Sequence, residues 1–198
     1  MGQTRELVLA SSSRYRRALL RRLPLRFRSA SPAIDEAPLA AERPAETAWR
    51  LSLAKARAVA SRFPDALVIG SDQVAALGDE RLDKPGNHAN ALRQLRLLSG
   101  KAADFHTAVT LLDARSGEAR THVVPCRVVF RSFDERQIET YLRIEQPFDC
   151  AGHQGDGKIS RHHRQCGQSS GGGRRSGHGF CQLQTGRRLL VAGCVAIQ

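Results

Sequence analysis

Five short clusters carry residue types suited to polyphosphate chemistry. The first is Ser11-Ser12-Ser13-Arg14-Tyr15-Arg16-Arg17. Serine hydroxyls and loop amides bind phosphate oxygens, and arginine forks grip the same oxygens bidentately. The plain alternative is a helix start with a solvated basic face. The second is Asp35-Glu36, between Pro32 and Pro38. Paired acids in such a loop can hold a divalent cation, although an ordinary polar turn has the same composition. The third is Lys55, near the edge of an apolar helical face, from which it either reaches a pocket or snorkels into solvent. The fourth is Gly70-Ser71-Asp72-Gln73, directly after the apolar run Leu67-Val68-Ile69. An acid at the carboxyl end of a buried strand sits where open α/β sheets place ligands, and its carboxylate can bind a cation and align water. A structural capping Asp is the rival. The fifth is Asp83-Lys84-Pro85-Gly86, in which a Lys held extended by the following Pro can present its charge to phosphates across from Asp72, although such a stretch in isolation is usually just a loop. His106-Thr107 comes last, and a lone His entering a strand is more often packed than catalytic.

The elements that must position these residues are legible around them. Leu7-Val8-Leu9-Ala10 reads as a short buried strand, and Arg14 to Leu23 as a helix stopped at Pro24. Strand, small-residue loop and helix in that order suit an anion, because helix-start amides face it. Glu46 to Phe63 reads as a helix with Trp49, Leu53, Ala56, Ala60 and Phe63 on one face, closed by Pro64. The strand at Leu67 delivers Asp72 at its end, continues extended over Val74 to Leu77, and turns at Gly78-Asp79 toward Leu82. Asn87 reads as the N-cap of a helix running to Ser99, with Gly100 just beyond its end. Phe105 to Asp113 and Thr121 to Phe130 read as a hairpin turned at Ser116-Gly117. Ser132 and Glu135 make a capping box for a helix over Phe133 to Ile144.

Composition narrows the function classes. A chain of 198 residues suits one α/β domain or two small lobes. The formal net charge of +12 favours anionic partners, but half of that excess lies in residues 153–198. No apolar run approaches the ~20 residues of a membrane helix. The acid-bearing start Met1-Gly2-Gln3-Thr4-Arg5-Glu6 does not read as a signal peptide. A cytoplasmic protein without a membrane partner is expected. Five cysteines, an odd number without a C-x-x-C pair, speak against a disulfide framework or zinc knuckle. Aromatic content of 5% and the lack of a nucleic-acid motif argue against a nucleic-acid partner.

Taken in order, the clusters resemble the Maf-like nucleotide pyrophosphatases. Ala10-Ser11-Ser12-Ser13-Arg14-Tyr15-Arg16-Arg17 is similar to that family's A-S-x-S-P-x-R-R, and Asp35-Glu36 to its D-E. Leu53-Ala54-Lys55-Ala56 matches the last residues of L-A-x-x-K-A. Ile69-Gly70-Ser71-Asp72-Gln73-Val74 matches G-[SA]-D-[QT]-V, and Lys84-Pro85 matches G-K-P. His106-Thr107 and Pro147-Phe148-Asp149-Cys150-Ala151-Gly152 fall where the family has an aromatic or His before Thr and a closing C-A-G. Seven motifs in register over residues 7–152 make the match specific. Gln73, Tyr15 and Cys150-Ala151-Gly152 resemble the YceF branch, which is associated with 7-methyl-GTP pyrophosphatase activity.

The resemblance implies an α/β fold with a mixed, twisted sheet and flanking helices around a central cleft, similar to the Maf and ITPase folds. It implies hydrolysis of a nucleoside triphosphate to monophosphate and diphosphate, in a house-cleaning role against modified nucleotides. Asp72 would be the proton acceptor, and with Glu36 would hold Mg²⁺ or Mn²⁺. Ser11, Arg16, Lys55 and Lys84 would bind the phosphates, while Tyr15 and Gln73 would select the base. The partner expected is a small-molecule nucleotide, and a homodimer is compatible with this reading. Arg14 and Asp83 depart from the family's Pro and Gly. Residues 153–198 depart altogether: they hold ten of the 17 glycines and match nothing that follows C-A-G in the family. The expected organisation is a Maf-like domain over 1–152, C-terminally incomplete, and a tail over 153–198 that reads as disordered or frameshifted. The alternatives are an inactive relic and a basic nucleic-acid-binding protein.

Overall fold

Alternation of short apolar runs with amphipathic stretches produces alternating strands and helices in the computed structural model, which describes residues 5–149. In chain order these are β1 (Leu7–Ala10), α1 (Arg14–Leu20), β2 (Arg28–Ala30), α2 (Pro44–Ala60), β3 (Leu67–Leu77), β4 (Glu80–Leu82), α3 (His88–Leu98), β5 (Ala102–Asp113), β6 (Ala119–Val129) and α4 (Glu135–Glu145). Six strands form one mixed sheet in the order β2-β1-β3-β5-β6, with β4 on β3. The expected α/β class with a mixed sheet and flanking helices holds. Residues 153–198 lie outside the described residues, and with them the expectation of a divergent tail.

The chain divides into two compact units, one of residues 5–83 and 104–126, the other of 84–103 and 127–149. In the first unit, β1 runs parallel to both β2 and β3, linked through α1 and α2 as parallel pairing requires. β5 pairs with β3 antiparallel from Leu67↔Asp113 to Ala76↔Asp104. The helix α2 packs on this sheet. Val8, Ala10, Ala56, Val59, Ala66, Val68 and Leu112 form the apolar cluster beneath it. In the second unit, α3 and α4 bury Ala91, Leu95, Ile138, Tyr141 and Leu142 against one another.

Helix ends differ from the sequence reading for identifiable reasons. α1 and α2 stop about three residues short of Pro24 and Pro64. A residue before proline is pushed out of the α region, so each last turn tightens. The amides of Arg22 and Leu23 bond the carbonyls of Leu19 and Leu20, and those of Arg62 and Phe63 bond Val59 and Ala60. The capping box of α4 is Asp134 with Gln137, not Ser132 with Glu135. The Phe133 amide instead donates to Ser99 Oγ at 2.7 Å, and Glu135 pairs with Arg96 at 2.7 Å.

The buried face of α2 is also rotated from the expected one. It comprises Thr47, Ala48, Leu51, Ser52, Lys55, Ala56 and Val59, while Trp49 is 46% exposed. Three polar side chains hide that stripe from a hydrophobicity pattern. Ser52 Oγ meets Thr110 Oγ1 at 2.8 Å, and Thr110 meets Thr121 at 2.8 Å, so these buried hydroxyls are satisfied.

Candidate active site

The register of β3 opens a gap in the sheet at Asp72. β5 lines one edge of β3 along its length. On the other edge, β1 ends at Ala10↔Gly70 and β4 begins only at Ala75↔Leu82. Between them, Ser71 to Val74 have no registered strand partner on that side among the described residues. Asp72 therefore lies inside a continuous strand and not at its end as expected. The carboxyl end that matters belongs to β1, which stops beside it and releases the serine loop. This is still the place where α/β sheets accept ligands.

A glycine brings the helix to this gap. A Cβ on Gly70 would lie 2.0 Å from the Ser52 carbonyl oxygen and 2.9 Å from the Ala56 amide nitrogen. Without a side chain at 70, the α2 backbone sits directly against β3. Lys55, one residue before Ala56, is then carried inward. It is 3% exposed, and its Nζ donates to Asp72 Oδ1 at 2.6 Å. Asp72 itself is 6% exposed. The snorkelling alternative for Lys55 does not hold, because the carboxylates give its ammonium a partner inside.

Two further predicted residues join this pair. Glu36 Oε1 lies 2.9 Å from Lys55 Nζ, so one ammonium bridges both acids. Arg16 Nη2 stands 3.6 Å from Asp72 Oδ1. Ser11 is buried at the end of β1, and its Oγ accepts the Ser13 amide at 3.1 Å. Ser13 in turn caps α1, accepting the Arg16 amide at 3.4 Å. These bonds fix the loop and present Arg16 toward Asp72. The result is two cations and two carboxylates facing one another at the open edge of β3.

The base-selecting candidates have partners of their own. Gln73 Nε2 donates to Thr107 Oγ1 at 2.7 Å, so Thr107 on β5 anchors Gln73 on β3. The Arg14 guanidinium lies over the Tyr15 ring at 4.8 Å and donates to its hydroxyl at 2.7 Å. Lys84 opens the second unit, whereas the cluster described here belongs wholly to the first. Asp35 Oδ1 accepts the Ala37 amide at 2.9 Å, tightening the loop that bears Glu36.

Sequence reading does not single out Glu42 and Arg50. The Arg50 fork binds the Glu42 carboxylate at 2.6 and 2.8 Å. Arg50, the Leu39 amide and the Thr47 hydroxyl together hold the Glu42 carboxyl down at about 2. An acid in a loop and a base eight residues later on a helix carry no periodic signature that would pair them in advance.

The oxygen donor set suits a hard cation. Among the described residues no three His, Cys, Asp or Glu side chains gather as a metal cage. Glu36 and Asp72 are nevertheless the kind of one- or two-carboxylate set that holds Mg²⁺ together with substrate phosphates. Among the described residues no helix is long and apolar enough to cross a membrane.

Comparison with known proteins places the chain in a family. The family model described as Maf-like protein matches residues 6–159. A 7-methyl-GTP pyrophosphatase of Cupriavidus metallidurans is 53% identical over 146 residues, covering 74% of this chain and 73% of the relative. One of Thiobacillus denitrificans is 55% identical over 146 residues, with the same shares of 74% and 73%. A solved HAM1 protein from Coxiella burnetii superposes with a TM-score of 0.39 at 16% identity, covering 64% of this chain and 71% of that one. With the family match spanning more than three quarters of its length, the chain belongs to the Maf-like protein family.

Proposed function

We propose that the protein is a nucleotide pyrophosphatase that hydrolyses 7-methyl-GTP to the nucleoside monophosphate and diphosphate. The observation that carries the reading is the buried Asp72 carboxylate, bonded to Lys55 at 2.6 Å and faced by Arg16 at 3.6 Å. Relatives at 53–55% identity bearing the name 7-methyl-GTP pyrophosphatase support the substrate. The relic and nucleic-acid alternatives gain nothing from either.

In this reading Asp72 takes a proton from water as the water oxygen bonds to phosphorus and the P–O bond bridging the α and β phosphates breaks. Arg16, Lys55 and Ser11 balance negative charge that moves onto the phosphate oxygens. Glu36 and Asp72 would hold Mg²⁺ or Mn²⁺, which supplies Lewis-acid charge when bound. Tyr15 offers a ring face to the base. The Arg14 guanidinium already lies over this ring at 4.8 Å, and a positively charged methylated guanine would use the same cation–π attraction. Gln73, oriented by Thr107, would read a base edge. A nucleotide-handling role would suit a cytoplasmic protein.

A pyrophosphate-release assay over ordinary and methylated nucleotides tests the substrate, and turnover restricted to unmethylated nucleotides would reject it. Chelation should stop release, and added Mg²⁺ or Mn²⁺ should restore it. Asp72→Asn should lower kcat by about a thousandfold with the fold intact, the middle of the usual range for a positioned proton acceptor. Full activity in that variant would remove Asp72 from the mechanism.

A further inference from the structure

Glu36 reaches Lys55 from a loop, not from a regular element, so something must hold that loop. Residues 37–42 run over the start of α2. Arg50 Nη2 donates to the Ala37 carbonyl at 3.0 Å, directly beside Glu36. The same guanidinium grips Glu42 through Nε and Nη2 at 2.6 and 2.8 Å. Glu42 also accepts the Leu39 amide at 3.2 Å and the Thr47 hydroxyl at 3.0 Å, and Thr47 is buried on α2. The turn ends at Ala41, whose φ of 59° is uncommon for a residue with a side chain. Each end of this loop is thus tied to one arginine on α2, five residues before Lys55.

The pair is well shielded. Its side chains are 27% exposed at Arg50 and 10% at Glu42. Asp35 and Asp72 both lie close enough to add to the field at Arg50. The fork geometry matters, because a planar guanidinium can bind one carboxylate bidentately and a carbonyl at the same time, which an ammonium cannot do with the same fixed spacing.

We infer that Arg50 and Glu42 form a positioning clasp that holds the 37–42 loop on α2 and so keeps Glu36 against Lys55. The inference rests on the active-site reading above. Neither residue touches the reacting groups. Both act through Glu36, so their effect on turnover exists only while Glu36 is a carboxylate.

The full-length chain is compared with Arg50→Met, Glu36→Gln and the double variant. The readouts are kcat and KM for pyrophosphate release and amide exchange along the chain. Arg50→Met should lower kcat about tenfold or more, as a small misplacement of a positioned group does. In the Glu36→Gln background the same change should alter kcat less than about twofold, since coupled residues are not additive. Equal losses in both backgrounds would overturn the clasp, because a general loss of stability acts irrespective of Glu36. Arg50→Lys, a milder change, should give the same pattern at smaller amplitude. Exchange of the Leu39 amide should quicken in Arg50→Met while β3 amides stay protected, and unchanged Leu39 exchange would also overturn the clasp. If the wild-type chain does not turn over 7-methyl-GTP, the substrate reading fails, and the exchange comparison still decides the clasp.

Discussion

Lys55 is the residue on which the site's electrostatics turn. Its ammonium is nearly inaccessible and serves two carboxylates, Asp72 at 2.6 Å and Glu36 at 2.9 Å. Removing one partner of a buried ion pair leaves the other charge uncompensated. Lys55→Met is therefore expected to destabilise the protein by about 3 kcal/mol and to abolish turnover, as read by urea unfolding and pyrophosphate release. Adding Asp72→Asn should recover most of the stability and none of the activity. If Lys55→Met instead unfolds like the wild type, the pair contributes little to the fold and serves the reaction alone.

At the scale of elements, the contact of α2 with β3 decides where the reactive groups meet. Gly70 is the point of closest approach, and a Cβ there would meet backbone, which cannot turn aside as a flexible side chain can. Gly70→Ala should cost about 3 kcal/mol, the upper part of the usual range for overpacking. Because Lys55 and Asp72 stand on the two elements forced apart, kcat should fall as well. Thermal unfolding and turnover of the one variant check both. A change under about 0.5 kcal/mol, as at an ordinary surface position, would show that helix and strand can slide past each other. α4 offers a milder comparison. Asp134 accepts the Gln137 amide at 2.7 Å, and Asp134→Ala should cost about 1 kcal/mol, as loss of an N-cap does.

Over the whole molecule, stability should fall in acid in a way these ion pairs specify. Glu42 is held down from the ordinary 4.5 to about 2, chiefly by its hydrogen bonds with Arg50. Asp113 is held below the usual carboxylate range, first by Arg5, which binds both its oxygens at 2.6 Å. In each case the folded form holds the proton less tightly than the unfolded form does. Stability from these pairs is thus complete above the ordinary carboxylate value and is lost as pH falls toward the folded value. Urea midpoints for the wild type should decline between about pH 4.5 and 2. Glu42→Gln should start lower at neutral pH and decline less steeply. Parallel slopes for the two proteins would mean that Glu42 does not carry its share of this dependence.

The sequence by itself determined the elements and the list of reactive residues. Apolar runs bounded by glycine, proline and caps mark β1, β3, α3 and the β5–β6 hairpin, because local backbone preference and burial act over a few neighbours. The Ser11–Arg17, Asp35-Glu36, Lys55 and Asp72 clusters were legible because their chemistry lies in residue type and order. Tertiary structure alone decided that α2 turns Lys55, Ser52 and Thr47 inward and leaves Trp49 outside. A polar side chain reads as exposed until a partner far along the chain is known to meet it. Arg50 with Glu42, Gln73 with Thr107 and the break in pairing beside Asp72 belong to the same class. Each depends on the register of strands or the approach of a helix to a sheet, and those distances exist only once the chain has folded.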